Sequence, residues 1–144
     1  MIAVDTNILV HAHRKDAAFH EGAYATVVSL ARRAAPWAIP WPCLHEFLAV
    51  VTHPKIFRTP TPLEFACDQL DAWLEAPSLS LLHEDRHAHW ATLRPMLIAG
   101  RIHGPRVHDA RIAALCVAHG VTELLTADRD FSRFPSLSVR NPLV

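Results

Sequence analysis

The chain has 144 residues, 51% hydrophobic and 19% charged, with Lys+Arg and Asp+Glu equal at 14 each. That length supports one domain, residues 1–144, with a real core, and the composition excludes a disordered chain. A net charge near zero excludes a protein that coats nucleic acid by charge alone, but leaves room for a local basic patch, to which the 11 His add charge below about pH 6.5.

Residues 2–5 read as a short buried strand and 6–13 as a helical turn, broken by Arg14-Lys15-Asp16. Over 21–34, Ala23, Val27, Leu30, Ala31 and Ala34 fall on one helical face, and Pro36 stops the pattern. A second strand follows at 37–40. Pro42 suits the first turn of a helix with Leu44, Phe47, Leu48 and Val51 on one stripe, ending at His53-Pro54. Thr61, with Glu64 three residues on, has a capping-box pattern. It opens a helix with Leu63, Ala66, Cys67, Leu70 and Leu74 on its apolar side. A third strand is expected at 79–83, then a helix over 86–98 built on Trp90, Leu93 and Leu97. Residues 100–106 form a polar loop before a helix at 108–119, with Gly120 placed at its C′ position. A fourth strand at 123–126, a short turn or helix at 128–133 and an edge strand at 137–140 complete the chain. This alternation of strands and helices predicts an α/β domain around a mostly parallel sheet.

The three cysteines, Cys43, Cys67 and Cys116, form no CxxC pair, and an odd number cannot close fully into intrachain bridges. They read as small buried hydrophobes in a reducing compartment. The N-terminus does not fit a signal peptide, and no stretch reaches the roughly 20 apolar residues of a membrane span, so a cytoplasmic protein is expected.

Four carboxylates lie beside hydrophobic segments: Asp5 after Met1–Val4, Glu46 in the helix after the second strand, Asp109 before Ala110–Ala118, and Asp128 after Leu124-Leu125-Thr126-Ala127. Each alone has an ordinary explanation, since an Asp between strand and helix is most often an N-cap and a helical Glu is usually solvated. Acids past strand ends, however, point into the crevice where open α/β sheets bind ligands. Converging there they would repel, and a divalent cation is the simplest remedy. Polar neighbours accompany them: Thr6 and Asn7 follow Asp5, while Thr126 and Asp130 bracket Asp128. Such groups orient metal ligands.

The order Asp5-Thr6-Asn7, a Glu in an early helix, His108-Asp109-Ala110 entering a late helix, and Thr126-x-Asp128-x-Asp130-Phe131 after a late strand resembles the PIN-domain ribonucleases, most of all the VapC toxins of bacterial toxin–antitoxin pairs. The resemblance covers nearly the whole chain. It implies a three-layer α/β/α domain and a Mg²⁺ or Mn²⁺ site. Asp5, Glu46, Asp109 and Asp128 fall on the family's acidic, catalytic positions, Thr6, Asn7 and Thr126 match its supporting polar ones, and Asp130 is either a ligand or a support for Asp128. Oxygen-only ligands favour such hard cations over Zn²⁺. The implied reaction is endonucleolytic hydrolysis of RNA by a metal-activated water, leaving a 5′-phosphate and a 3′-hydroxyl. The implied partners are RNA, a cognate antitoxin whose tail plugs the site, and a second copy in a homodimer, with no membrane involved. The apolar faces at 44–51 and 63–74 are candidate contact surfaces, although core burial explains them equally.

Arg101, His103, Arg106 and His108 precede Asp109, Arg14 and Lys15 follow the first acid, and Arg129 and Arg133 flank the last. A basic rim that holds phosphates, with Arg101, Arg106 and His108 as its substrate-binding members, is expected around the acids. Trp37, Trp41 and Trp90 are candidates to stack bases, or core residues. His11/His13 and His83/His87/His89 have some zinc-like spacing, but exposed or capping roles fit them better. A haloacid-dehalogenase phosphatase would need an acid where Asn7 stands, and a receiver domain would need a late Lys that is missing. A non-catalytic PIN scaffold binding RNA or protein is the remaining alternative.

Overall fold

The computed structural model describes residues 1–144. Five apolar runs become the strands β1 (Ile2–Val4), β2 (Trp37–Pro40), β3 (Leu79–Leu82), β4 (Glu123–Leu125) and β5 (Ser138–Arg140). They pair in the order β3-β2-β1-β4-β5, and every pairing is parallel. β1, β2 and β4 lie inside the sheet and are the most completely buried, as expected of parallel strands covered on both faces. The expected edge strand is indeed at the edge, and its alternating exposure reflects a single neighbour.

The connections carry six α-helices: α1 (Thr6–His13), α2 (His20–Arg32), α3 (Trp41–Val51), α4 (Leu63–Leu74), α5 (Ala88–Gly100) and α6 (Arg106–Ala118). A short 3₁₀ helix spans Arg129–Arg133. Right-handed crossovers put α1 to α4 on one face of the sheet and α5 and α6 on the other. The packing agrees: α1 lies against α2 and α3, α3 against α4, and α5 against α6. A core of 31 buried apolar residues links the three layers. No helix is long and apolar enough to cross a membrane.

Several local expectations shift. Thr61 does not cap α4. Pro62 holds that position, and the Thr61 hydroxyl instead meets the His13 ring at 3.1 Å and Arg14 Nη1 at 3.3 Å. The buried face of α4 runs through Ala66 and Trp73, while Leu63, Cys67 and Leu74 are exposed. The expected stripe left out Trp73, whose ring packs edge-on against Phe47 at 4.9 Å and anchors the buried face. Cys67 is therefore not a core residue, unlike Cys43 and Cys116. Trp37 is buried in the core, whereas Trp90 stands 55% exposed on α5.

α5 continues to Gly100 and α6 begins at Arg106, so the polar loop shortens to 101–105. Arg101 closes α5 in the left-handed region with φ of 49°, the one non-glycine residue at positive φ. Helices commonly end in this conformation, but normally on Gly, because a Cβ is strained there by about 1 kcal/mol. Arg101→Gly is expected to stabilise the fold by up to about 1 kcal/mol, raising Tm by about 2–4 °C in a thermal melt. A lowered Tm would show that the arginine side chain itself supports the fold.

Candidate active site

The strand order reverses beside β1: β2 and β3 build outward on one side, and the chain then returns to place β4 on the other. Open α/β sheets form their binding crevice at such a point, beyond the carboxyl ends of the strands. Asp5 follows β1 there, and Thr126 follows β4. The backbone joins them, since Asp5 N–H donates to the Leu125 carbonyl at 3.0 Å.

The side chains lock the same seam. The Asp5 carboxylate is buried, at 5% exposure. Its Oδ1 accepts from Thr6 N–H at 2.8 Å and from the Cys43 thiol at 3.5 Å. Its Oδ2 accepts from Asn7 Nδ2 at 3.0 Å and from the Thr126 hydroxyl at 2.8 Å. Thr126 Oγ1 in turn accepts from Asn7 Nδ2 and from Asp128 N–H, both at 3.0 Å. Asn7 Oδ1 accepts from Ala127 N–H at 2.9 Å. Thr126 thus uses its donor and both acceptor sites. Asp5 is also the N-cap of α1 and Asp128 that of the 3₁₀ helix, so the ordinary capping reading holds for both alongside any further role.

Glu46 enters from α3, one turn in from its start, where it is exposed and accepts from the Thr6 hydroxyl at 2.9 Å. Asp109 lies in the first turn of α6, and not beyond a strand. Asp128 and Asp130 follow β4. Oxygens of Asp109, Asp128 and Asp130 lie within 4.8 Å of one another, close enough to share one cation. Asp5 and Glu46 line the same cleft of about 590 Å³ as Asp109 and Asp128, with Asn7, His108 and Arg111. The structure thus brings the four acids to one cleft and adds Asp130 to a tight triad with Asp109 and Asp128.

The electrostatics follow from this crowding. Burial, then the charges of Asp128, Asp5, Asp130 and Glu46, push the Asp109 carboxyl up to about 6. Burial also raises the Asp5 carboxyl, against hydrogen bonds from Thr126, Thr6 and Cys43 that favour its charge. Cys116 is pushed up to about 12 by burial and by Asp5, and burial and Asp5 also raise Cys43 well above the ordinary thiol value, so both stay thiols. A pocket that holds acids this unfavourably, with oxygen donors alone, suits a hard divalent cation.

The expected basic rim is only partly present. His108 lines the acid cleft. Arg101 and Arg106, with His103 and Arg133, line an adjoining hollow of about 830 Å³, and Pro105 borders both cavities. Arg14 is no part of the rim. Its side chain is 10% exposed, it pairs with Asp16 at 2.6 Å, and its guanidinium lies 4.1 Å from the Phe57 ring centre. Lys15 borders a separate hollow with Phe19 and Leu143. None of Trp37, Trp41 and Trp90 lines the acid cleft. Of the histidines with zinc-like spacing, His13 bonds Gln69 at 3.0 Å, and the ring of His83 packs on that of His119 at 5.8 Å. Sequence reading missed His11 and Arg111, which line the cleft. Helical spacing carried the signal, since His11 lies four residues after Asn7 and Arg111 three after His108. Asn7, where a phosphatase would need its second acid, is fully engaged as an amide.

A PIN domain model matches residues 2–137. Ribonuclease VapC43 of Mycobacterium tuberculosis is 35% identical over 143 residues, 99% of this chain and 96% of its own length. Ribonuclease VapC31 of the same organism is 30% identical over 144 residues, covering 99% and 100% of the two chains. Among solved structures, VapBC2 from Rickettsia felis, bound to a DNA fragment from its promoter, superposes with a TM-score of 0.67 at 25% identity, covering 98% of each chain. FitAcB from Neisseria gonorrhoeae shares the fold, with a TM-score of 0.64 at 21% identity over 99% of this chain and 98% of its own. The chain belongs to the PIN domain family, in its VapC ribonuclease branch.

Proposed function

We propose that the chain is a divalent-metal-dependent endoribonuclease and the toxin of a type II toxin–antitoxin pair. The observation that carries this reading is the convergence of Asp5, Glu46, Asp109 and Asp128 on one cleft at the reversal of the sheet. Asp109, Asp128 and Asp130 would hold the cation, which we take to be Mg²⁺ or, alternatively, Mn²⁺, with Asp5 and Glu46 completing its surroundings. Bound there, it would supply the activation of water and the neutralisation of phosphodiester charge that hydrolysis needs. Asp128 or Glu46 aligns the attacking water and receives its proton. Thr6 orients Glu46, and Thr126 and Asn7 fix Asp5. Arg101, Arg106 and His108 hold the RNA backbone beside the acids without reading sequence.

The relatives named VapC ribonucleases and the VapBC structures support this activity and a cognate antitoxin. An acidic cleft accepts an arginine from an antitoxin tail well. Leu63, Phe65 and Leu74 of α4, each exposed by 41% or more, offer apolar surface for that partner or for a homodimer. We place the protein in the cytoplasm, as one PIN domain over its whole length.

Cleavage of RNA is expected to stop in excess EDTA and to return with Mg²⁺ or Mn²⁺. Asp5→Asn is expected to lose more than the roughly 10–100-fold that removal of a merely supporting group costs. Cleavage that persists in EDTA overturns the metal-dependent reading. Arg106→Ala is expected to weaken RNA binding several-fold in a titration while leaving Tm unchanged, and unaltered affinity removes it from the groove. The acid cluster also has a stability signature. Between the ordinary value of 3.8 and about 6, folded Asp109 keeps a proton that the unfolded chain has released, so stability falls as pH rises through that window. Metal-free Asp109→Asn is therefore expected to melt higher than the parent at pH ~7.5, and the gain should vanish below pH ~4. Equal melting at both pH values would mean that the carboxylate carries no such penalty.

A further inference from the structure

The acid cleft has one guanidinium on its wall that the proposed reaction leaves unused. Arg111 lines the cleft from α6. Its side chain is 39% exposed and forms an ion pair with Glu84, in the loop between β3 and α5, itself 43% exposed. The hydrogen bond runs from Nε, and the two terminal nitrogens of the guanidinium have no protein partner. The principal influences on Asp109 are burial and the other carboxylates, all unfavourable to its charge. A guanidinium held by Nε and open at its terminal edge presents parallel N–H donors, the geometry that binds two oxygens of one phosphate.

We propose that Arg111 is a phosphate-binding residue for the RNA strand and that Glu84 is its positioning residue, so that the cleft holds backbone on the β3 side of the acids as well as at the Arg101–Arg106 hollow. This assignment rests on the ribonuclease reading and deepens it. Arg111 sits two residues past Asp109 on the same helix, so the acid and the phosphate clamp are built on one rigid element. The ion pair sets the direction of the fork: Glu84 occupies the inner nitrogen, which leaves the outer edge for the ligand.

The test is equilibrium binding of a labelled, mixed-sequence single-stranded oligoribonucleotide, followed by anisotropy across a salt series. Every variant is compared in an Asp109→Asn background, so that the probe is not consumed. Arg111→Ala is expected to weaken binding about fivefold to tenfold and to flatten the dependence of log K on log salt by about 0.7, the loss of one phosphate contact on a single strand. Arg111→Lys should restore the slope but not the full affinity, because an ammonium is a point charge without the fork. Glu84→Gln keeps an acceptor for Nε and removes the competing charge, so it should bind at least as tightly as its parent. Arg111→Ala with unchanged affinity and slope overturns the proposal and leaves the pair as a structural tie between α6 and the loop. Glu84→Ala, which leaves Nε without its acceptor, is expected to weaken binding severalfold, and binding as tight as its parent's overturns the positioning role. Absence of any RNA binding by the Asp109→Asn parent counts against the ribonuclease reading itself, a result distinct from either of these.

Discussion

The arrangement depends on one buried carboxylate at the centre of the sheet. Asp5 follows the middle strand, where the chain has no choice but to place its side chain beside the return strand β4. An ionised group in that position is tolerable only with its lone pairs occupied. Thr6, Asn7, Thr126 and Cys43 occupy them. Three of those four donors come from side chains, and one of these, Thr126, is separated from Asp5 by 121 positions in sequence. The network therefore does two things with one set of atoms. It satisfies a buried charge, and it ties the end of β1 to the segment after β4 that carries Asp128 and Asp130.

From that fixed point the other carboxylates take their places by different routes. Asp128 and Asp130 come from the short segment after β4, held by the Asp128 cap on Asp130 N–H. Glu46 and Asp109 come from helices on opposite faces of the sheet, each within reach of the crevice because its helix starts there. Their mutual repulsion is the evident cost, visible in the raised Asp109 carboxyl. A fold selected for stability alone would not gather four acids on one cleft with a fifth beside them. Function and stability pull in opposite directions here, as they do at Arg101, where a strained backbone carries a charged side chain into the neighbouring hollow.

Much of this was legible in the sequence, for identifiable reasons. The strands announce themselves as short apolar runs, and the helices as spaced apolar residues, because the sheet buries whole strands and the helices bury one stripe each. Asp5 and Asp128 could be read from their positions after strands. Glu46 and Asp109 could not, since both lie within helices, and only the order of motifs along the chain pointed to their meeting. Where periodicity failed, it failed by leaving out Trp73: of the expected stripe through Leu63, Ala66, Cys67, Leu70 and Leu74, only Ala66 is fully buried, beside the indole that the stripe omitted. Sequence adjacency misled in the same way at Arg14, which neighbours the acid-bearing segment and yet turns inward to Asp16 and Phe57. Arg111 escaped notice because its meaning depends on Glu84, 27 positions away.

The placement of β4 beside β1 has a consequence for how such an enzyme is made. The first acid is made early, whereas Thr126, which completes its surroundings, is separated from it by 121 positions. Asp5 therefore lacks that partner until β4 has been made and has paired beside β1. The acid cleft is a late product of folding, and no fragment that stops short of β4 can hold it.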